Sequence, residues 1–144
     1  MQGEYREALP KVTFISGCEY EGEWVCGERE GTGVQTFPNG SRYEGEWQGN
    51  RVEGKGRIEY ADGDVYEGEW SGDKAEGFGV YTHHSGAVYE GYWVENLQQG
   101  QGSEKWPDGS RYEGQYHNGM KHGKGTYLWS DGSYYNGGWS ENVI

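Results

Sequence analysis

The chain has 144 residues, a net charge of −12 and only 32% hydrophobic residues, so its length fits one domain with little aliphatic material for a core. Leu, Ile, Val and Phe together number 18, which favours disorder, but aromatic residues make up 16% of the chain and recur in register. Nucleic acid is not expected as a partner, because no excess of Lys and Arg can displace phosphate counterions. No apolar run approaches the roughly 18 residues that a membrane-spanning segment needs.

One five-residue motif, Tyr-Glu-Gly-Glu-Trp, recurs along the chain with minor changes and a constant step of 23 residues. Its first tyrosines are Tyr20, Tyr43, Tyr66, Tyr89, Tyr112 and Tyr135. A fixed period of this length indicates a repeat array. We predict a lead-in over residues 1–11 and an array over 12–144. The array divides into a half repeat at 12–19, five full repeats over 20–134 and an incomplete sixth repeat at 135–144.

Each repeat has the pattern of a β-hairpin. In Tyr-x-Gly-x-Trp the side chains alternate, so Tyr, Gly and Trp share one face of the strand and the acids share the other. A tight-turn pair such as Gly49-Asn50 follows, and the second strand begins with Gly-x-Gly. That strand ends at an aromatic residue or histidine before a turn such as Pro38-Asn39-Gly40. The sequence therefore predicts an all-β fold, an elongated single-layer antiparallel sheet of tandem 23-residue hairpins.

The frequent glycines have an expected role in packing. A single-layer sheet cannot bury large aliphatic side chains against a second layer, but it can lay flat aromatic rings over bare backbone. We therefore expect both glycines of each Gly-x-Gly to lie beneath rings. No repeat can bury its rings alone, so stability is expected to depend on neighbouring repeats.

These residues resemble the MORN repeat, the "membrane occupation and recognition nexus", over residues 12–139 at constant spacing. The resemblance implies a twisted sheet of successive hairpins with a groove along one face. It also implies scaffolding, which includes binding of partner peptides, self-association, links between membranes and the cytoskeleton, and contact with acidic phospholipids. Many such repeats carry basic residues just before Gly-x-Gly, whereas this chain has Glu30, Glu53, Glu76, Gln99 and His122 there. Direct membrane binding is therefore not favoured.

A ladder of acidic side chains is predicted on the face opposite the rings. It comprises Glu21, Glu44, Glu67, Glu90 and Glu113, and Glu23, Glu46 and Glu69 stand beside its first three members. The ladder either selects basic partners or keeps an aromatic-rich sheet in solution. Equivalent acids in successive repeats lie roughly 9–10 Å apart, which is too far for two of them to share one calcium ion. No Cys or His spacing matches a zinc motif, and we expect neither a metal nor a cofactor.

An aromatic groove is the candidate binding surface for a partner. One column of the second strands varies while its neighbours stay constant, and it consists of Val12, Gln35, Ile58, Tyr81, Glu104 and Tyr127. Varied side chains beside a fixed framework suit partner specificity, although plain packing is the alternative. The predicted groove combines this column with the repeated indoles, and its residues are Trp24, Trp47, Ile58, Trp70, Tyr81, Trp93, Trp106, Tyr127 and Trp129.

The sequence contains no pattern typical of an active site. Gly-x-Gly recurs without a following helix, and no nucleophile stands beside a base, so we do not expect an enzyme. Cys18 and Cys26 are placed at opposite ends of one strand, too far apart for a disulfide. Free thiols favour a cytoplasmic location. The resemblance implies an association with the cytoskeleton or a cilium.

The expected function is a non-enzymatic scaffold or adaptor module. Its partner is a protein segment, helical or extended, with basic residues that complement the acidic chain. The alternative is a membrane-tethering or phospholipid-linked module, which could be the regulatory part of a lipid kinase. The sixth repeat stops before its second strand. A fragment, capping by another chain and self-association would each explain that open edge, and we favour a fragment.

Overall fold

A computed structural model describes residues 6–144 of the chain. These residues form β-strands, turns and loops without a helix, and no candidate membrane-spanning helix occurs among them. The chain divides into two compact units, unit 1 (Met1–Lys74) and unit 2 (Ala75–Ile144). The predicted all-β fold of consecutive antiparallel hairpins is confirmed within each unit.

Unit 1 contains strands β1 to β7 in one layer. Their bounds are β1 Glu7–Ala8, β2 Val12–Thr13, β3 Glu19–Val25, β4 Glu28–Thr36, β5 Arg42–Gln48, β6 Arg51–Glu59 and β7 Val65–Ser71. From β3 to β7, consecutive strands of this unit pair with each other. The short strands β1 and β2 both pair with the free side of β3, where Glu7 lies opposite Trp24 and Val12 lies opposite Tyr20. Part of the predicted lead-in therefore belongs to the sheet.

Unit 2 repeats the same hairpin order. Its strands are β8 Lys74–Thr82, β9 Val88–Val94, β10 Leu97–Lys105, β11 Arg111–His117, β12 Met120–Leu128 and β13 Tyr134–Trp139, and the first residue of β8 is the last residue of unit 1. Each strand pairs antiparallel with its successor. After β13, an isolated bridge joins Ser140 to Val143.

The tight turns within hairpins follow the sequence prediction. Gly49 and Asn50 both have positive φ, at 57° and 67°, and Glu95 and Asn96 have φ of 48° and 69°. Two consecutive positive φ angles define a type I′ turn, whose twist matches that of the flanking strands. Turns between repeats are closed by backbone bonds, such as Gly40 N–H to Phe37 O at 2.9 Å, and also by a side chain, as where the Ser41 N–H donates to Asn39 Oδ1 at 2.9 Å.

The two glycines of Gly-x-Gly have different roles, and the expectation that both lie beneath rings is wrong for the first. Gly31 has a φ of 85° and lies where the register between β3 and β4 shifts, so it forms a β-bulge. A Cβ on Gly31 would meet the Glu23 carboxylate on the acidic side of the sheet. Only the second glycine, Gly33, lies beneath the Tyr20 ring. The bulge therefore reverses the direction that simple alternation predicts for the first glycine.

Candidate functional site: the ring face

The first tyrosine of each repeat organises the ring face, the side of the sheet that carries Tyr, Gly and Trp of the motif. Tyr20, Tyr43, Tyr66, Tyr89 and Tyr112 are fully buried. Each hydroxyl donates to the backbone carbonyl three residues ahead, as from Tyr43 to Glu46 O at 2.9 Å and from Tyr112 to Gln115 O at 2.8 Å. This bond holds the ring flat over the glycines of its own hairpin. Burial raises the pKa of Tyr20 to about 12 and also raises the pKa of Tyr43 and Tyr66.

The tryptophans join successive repeats. Trp47 Nε1 donates to Gly33 O of the preceding repeat at 3.1 Å, and Trp139 Nε1 donates to Gly125 O at the same distance. Tyr43 also contacts two rings edge to face, because its ring centroid lies 5.3 Å from that of Trp47 and 5.6 Å from that of Trp70. Tyr20, Tyr89 and Tyr112 each contact two rings in the same way. Such pairs contribute about 0.5–1.5 kcal/mol beyond area burial. The ladder is therefore a structural element that couples neighbouring hairpins.

Two positions depart from this ladder. Tyr116 replaces a tryptophan, and its hydroxyl donates to Glu104 Oε1 at 2.6 Å. Burial, followed by the Glu104 charge, raises the pKa of Tyr116. At the other departure, Trp24 Nε1 is buried and has no hydrogen-bond partner among the residues that the structure describes.

The structure divides the predicted groove residues into two groups. Trp24, Trp47, Trp70 and Trp93 are buried in the ladder and offer little surface to a partner. Ile58, Tyr81, Trp106 and Tyr127 are half-buried, and Trp129 is 39% exposed. The varied column and the strand ends therefore supply the accessible part of the ring face, and the indoles of the motif form its floor.

A cavity of about 380 Å³ opens on the ring face of unit 1. Ile58 and the indoles of Trp47 and Trp70 line it together with Phe37, and Arg29 and Asp73 supply its charged wall. The cavity is thus built from both groups of predicted groove residues and is large enough for one side chain of a partner.

Sequence reasoning missed a second varied column on this face. It comprises the first ring-face residue after each hairpin turn, namely Arg29, Val52, Ala75, Gln98 and Lys121. In β4, the Arg29 guanidinium stacks 4.8 Å above the Trp47 ring and its Nη2 donates to Asn50 O at 3.0 Å. Desolvation lowers the pKa of Arg29. The 23-residue alignment could have revealed this column, because the residue varies from repeat to repeat and alternation from the second glycine of Gly-x-Gly places it on the ring face.

In unit 2 three of the accessible aromatic side chains form a cluster. Tyr127 lies 5.7 Å from Trp106 and 4.9 Å from Trp129 between ring centroids. The Lys121 ammonium stands 5.4 Å above the Trp106 ring. Three predicted groove residues are therefore brought together, with a cation over one of them.

The acid face is the side of the sheet opposite the ring face. Some of its acids are exposed, and others accept hydrogen bonds from the backbone. The predicted column of Glu21, Glu44, Glu67, Glu90 and Glu113 is exposed. Glu23 instead caps the bulge, because its Oε1 accepts the Thr32 N–H at 2.8 Å. This bond lowers the pKa of Glu23.

The acids just before Gly-x-Gly bind the hairpin turn of the next repeat. Glu30 Oε1 accepts the Gly49 N–H at 3.0 Å, and Glu53 Oε1 accepts the Gly72 N–H at 2.8 Å, so each caps the turn of the following repeat. Much of the acidity that distinguishes these positions from basic MORN repeats therefore has a structural use. Sequence reasoning had no signal for this role, since the donor lies 19 residues away.

Comparisons with known proteins agree with this architecture. A family model for the MORN repeat matches residues 20–42, 43–65, 66–88, 89–111 and 112–134. No curated protein matches the chain. Among solved structures, the chain is similar to the SAS-4 (dCPAP) TCP domain in complex with a Proline Rich Motif of Ana2 (dSTIL) of Drosophila melanogaster. That alignment has a TM-score of 0.54 and 11% identity, and it covers 90% of this chain and 71% of the other. At this identity the likeness concerns the fold alone. Because five consecutive family repeats cover most of its length, the chain belongs to the MORN-repeat family.

Proposed function

We propose that the chain is a non-enzymatic scaffold module that binds a protein segment along its ring face. The observation that carries the proposal is the cavity of about 380 Å³ in unit 1, which joins Ile58 and Phe37 to the tryptophan floor. Concave sites lined by apolar and aromatic side chains with few polar groups are typical binding sites. The polar groups of the cavity are largely engaged within the protein, since Arg29 already bonds to Asn50. An apolar side chain of the partner suits the remaining space.

The cluster of Trp106, Tyr127 and Trp129 in unit 2 supports the same proposal, because aromatic residues are enriched where binding energy concentrates. The structural neighbour from Drosophila melanogaster was solved with a proline-rich motif. Aromatic-lined grooves suit such segments, whose polyproline II conformation is already formed before binding. A partner with basic residues would also complement the net charge of −12. We place the module in the cytoplasm, in a cytoskeletal or ciliary assembly.

A membrane-tethering role is the weaker candidate. The exposed acid column of Glu21, Glu44, Glu67, Glu90 and Glu113 would repel anionic headgroups. We propose that any link to a membrane passes through a partner protein.

The proposal can be tested by selecting peptides from a displayed random library on the wild-type chain. Selected peptides are then measured against Ile58→Ser, Tyr127→Ser and the matched control Val34→Ser. Val34 is a half-buried apolar residue in β4, but its neighbours across the strands are Glu21 and Glu44 on the acid face. Circular dichroism establishes that each variant is folded.

We expect peptides rich in proline or aromatic residues, with Lys or Arg nearby, to lose at least about tenfold in affinity for one of the ring-face variants. The Val34→Ser control should retain wild-type affinity. Peptides that bind all variants equally, or that lose affinity only for the control, would contradict a ring-face site.

A further inference from the structure

One part of the acid face in unit 2 is apolar instead of polar. Phe78, Tyr92, Val94 and Leu97 are 43%, 53%, 48% and 45% exposed. The register places Phe78 opposite Tyr92 and Val94 opposite Leu97, and the Phe78 and Tyr92 rings meet edge to face at 5.6 Å. The four side chains therefore form one contiguous surface, which we name the apolar patch.

The apolar patch departs from the other full repeats at Phe78 and Tyr92, whereas the positions of Val94 and Leu97 are each apolar in one other repeat, as Val25 and Met120. Where unit 2 has Phe78, other repeats have Thr32, Lys55, Gln101 and Lys124. Where it has Tyr92, they have Glu23, Glu46, Glu69 and Gln115. The position of Leu97 is occupied elsewhere by Glu28, Arg51, Lys74 and Met120. Packing within the sheet does not require these changes, since polar residues serve the same positions in other hairpins.

The patch also lacks the cap that other bulges have. In the fifth repeat, Gln115 Oε1 accepts the Lys124 N–H at 2.9 Å, and a Cβ on Gly123 would meet that side chain. In the fourth repeat a tyrosine replaces the capping residue, and a Cβ on Gly100 would meet no atom within 4 Å. The backbone next to the patch is therefore open to an incoming group.

Exposed acids border the patch. Glu90 lies two residues before Tyr92 on the same face of β9, and Glu95 lies in the turn between Val94 and Leu97. Glu113 on β11 extends this rim, because it lies opposite Ser103, which also lies opposite Glu90. Residues 75–144 contain eight Asp and Glu against four Lys and Arg, which gives this unit a net charge of −4. An apolar centre with a charged rim is the usual anatomy of a protein-binding surface.

We propose that the apolar patch is a second interaction surface, which binds a short segment of another protein with apolar side chains flanked by Lys or Arg. Charge complementarity selects a basic segment. A second copy of this chain fits less well, because it would bring acidic rims together. Four half-exposed side chains also fall well short of the ~800 Å² per partner that a stable interface between folded proteins buries. This surface lies opposite the ring face and does not depend on the function proposed above.

The test uses the full chain and a fluorescent peptide of alternating Lys and Leu as the probe. A control peptide has Ser in place of Leu and the same charge. The patch variant combines Phe78→Thr, Tyr92→Gln, Val94→Ser and Leu97→Gln, which leaves the net charge unchanged. The Tyr92→Gln change follows the capping residue Gln115, so the variant is expected to remain folded, and thermal unfolding checks this.

We expect the Lys/Leu peptide to bind the wild type at least about tenfold more tightly than the patch variant. The Ser-containing peptide should bind both proteins equally and weakly. Replacing Glu90 and Glu113 by Gln should lower the affinity of the Lys/Leu peptide. The matched replacement of Glu21 and Glu44, which removes the same charge from unit 1, should lower that affinity less.

Equal affinity of the Lys/Leu peptide for the wild type and the patch variant would overturn the proposal, as would the absence of measurable binding to the wild type. Self-association of the wild type in sedimentation experiments, if the patch variant abolished it, would overturn the choice of a foreign segment. Backbone amide shifts in NMR separate the two proposed surfaces, because peptide-induced changes should centre on residues 78, 92, 94 and 97 instead of the indole N–H groups of the ring face.

Discussion

The first repeat (20–42) and the fourth repeat (89–111) share the tyrosine–tryptophan pair on the ring face and differ in the residue that follows the motif glycine on the acid face. Tyr20 and Tyr89 each donate to the carbonyl three residues ahead at 2.9 Å, and each ring lies 5.1 Å from the tryptophan of its own repeat. On the acid face, Glu23 caps the bulge of the first repeat, and Tyr92 leaves that of the fourth uncapped.

This difference has a physical reason. The tyrosine hydroxyl donates to a backbone carbonyl, which every residue provides. Glu23 and Tyr92 can therefore both accept this bond, whatever their side chains. The acid-face side chain of the same residue caps a bulge at the surface, where one hydrogen bond contributes only about 1 kcal/mol. The tyrosine–tryptophan ladder is therefore constrained by packing, whereas the capping position on the acid face is free to vary.

The largest expected effect is unfolding at alkaline pH, when the buried tyrosines of the ring face ionise. The unfolded chain ionises its tyrosines near pH ~10, whereas burial raises the pKa of Tyr20 to about 12 and raises that of Tyr43 and Tyr66. The unfolded state therefore releases protons first, so stability is complete below pH ~10 and falls as the pH rises through this window. Phenolate absorbance and circular dichroism should change together. Early ionisation of all tyrosines in a folded chain would contradict the ladder.

Replacing the ring-covered glycine by alanine should lower the free energy of unfolding by a similar amount in both repeats. A Cβ on Gly33 would overlap the Tyr20 ring, and a Cβ on Gly102 would lie 2.6 Å from the Tyr89 hydroxyl. Each substitution should lower the free energy of unfolding by about 2–3 kcal/mol, because the buried ring cannot move aside. Gly49→Ala is the control, since its added Cβ meets no atom within 4 Å and only the positive φ is unfavourable. Denaturant unfolding measures all three, and equal losses for the control would refute the ring-overlap explanation.

Substitution of the capping residue should change the free energy of unfolding in opposite directions in the two repeats. Glu23→Ala removes the bond to Thr32 and should lower the free energy of unfolding by about 1 kcal/mol. Tyr92→Gln supplies the cap found at Gln115 and should raise it by up to about 1 kcal/mol. Thermal or denaturant unfolding measures both changes. A loss of stability from Tyr92→Gln would mean that the apolar patch contributes to folding.

The smallest expected effect is local and appears at acid pH. The bond from Thr32 lowers the pKa of Glu23, so the stabilisation is complete above the ordinary glutamate pKa and is lost as the pH falls through the lowered value. The Thr32 amide shift in NMR should follow this titration. The Lys124 amide, bound to the uncharged Gln115, should not respond with that midpoint. A Thr32 midpoint at or above the ordinary glutamate pKa would contradict the bond.

Much of the fold could be predicted because its signals are local. Constant spacing located the hairpins, and turn pairs such as Gly49-Asn50 specify type I′ geometry through their own φ preferences. The candidate site was harder to predict. Alternation placed Gly31 beneath a ring, but a bulge turns it toward Glu23. The caps from Glu30 and Glu53 join residues 19 positions apart, and their hydrogen bonds exist only after neighbouring hairpins pair.

The sequence by itself determined the repeat, the hairpins and the family, because period, alternation and turn chemistry act over a few residues. Only the tertiary structure decided which tryptophans are buried and which acids cap backbone N–H groups. It also decided that Phe78, Tyr92, Val94 and Leu97 meet on one surface. These outcomes depend on strand register and on the displacement that each bulge introduces. Side-chain exposure in a single-layer sheet is set by neighbouring strands, which the local pattern of one strand does not specify.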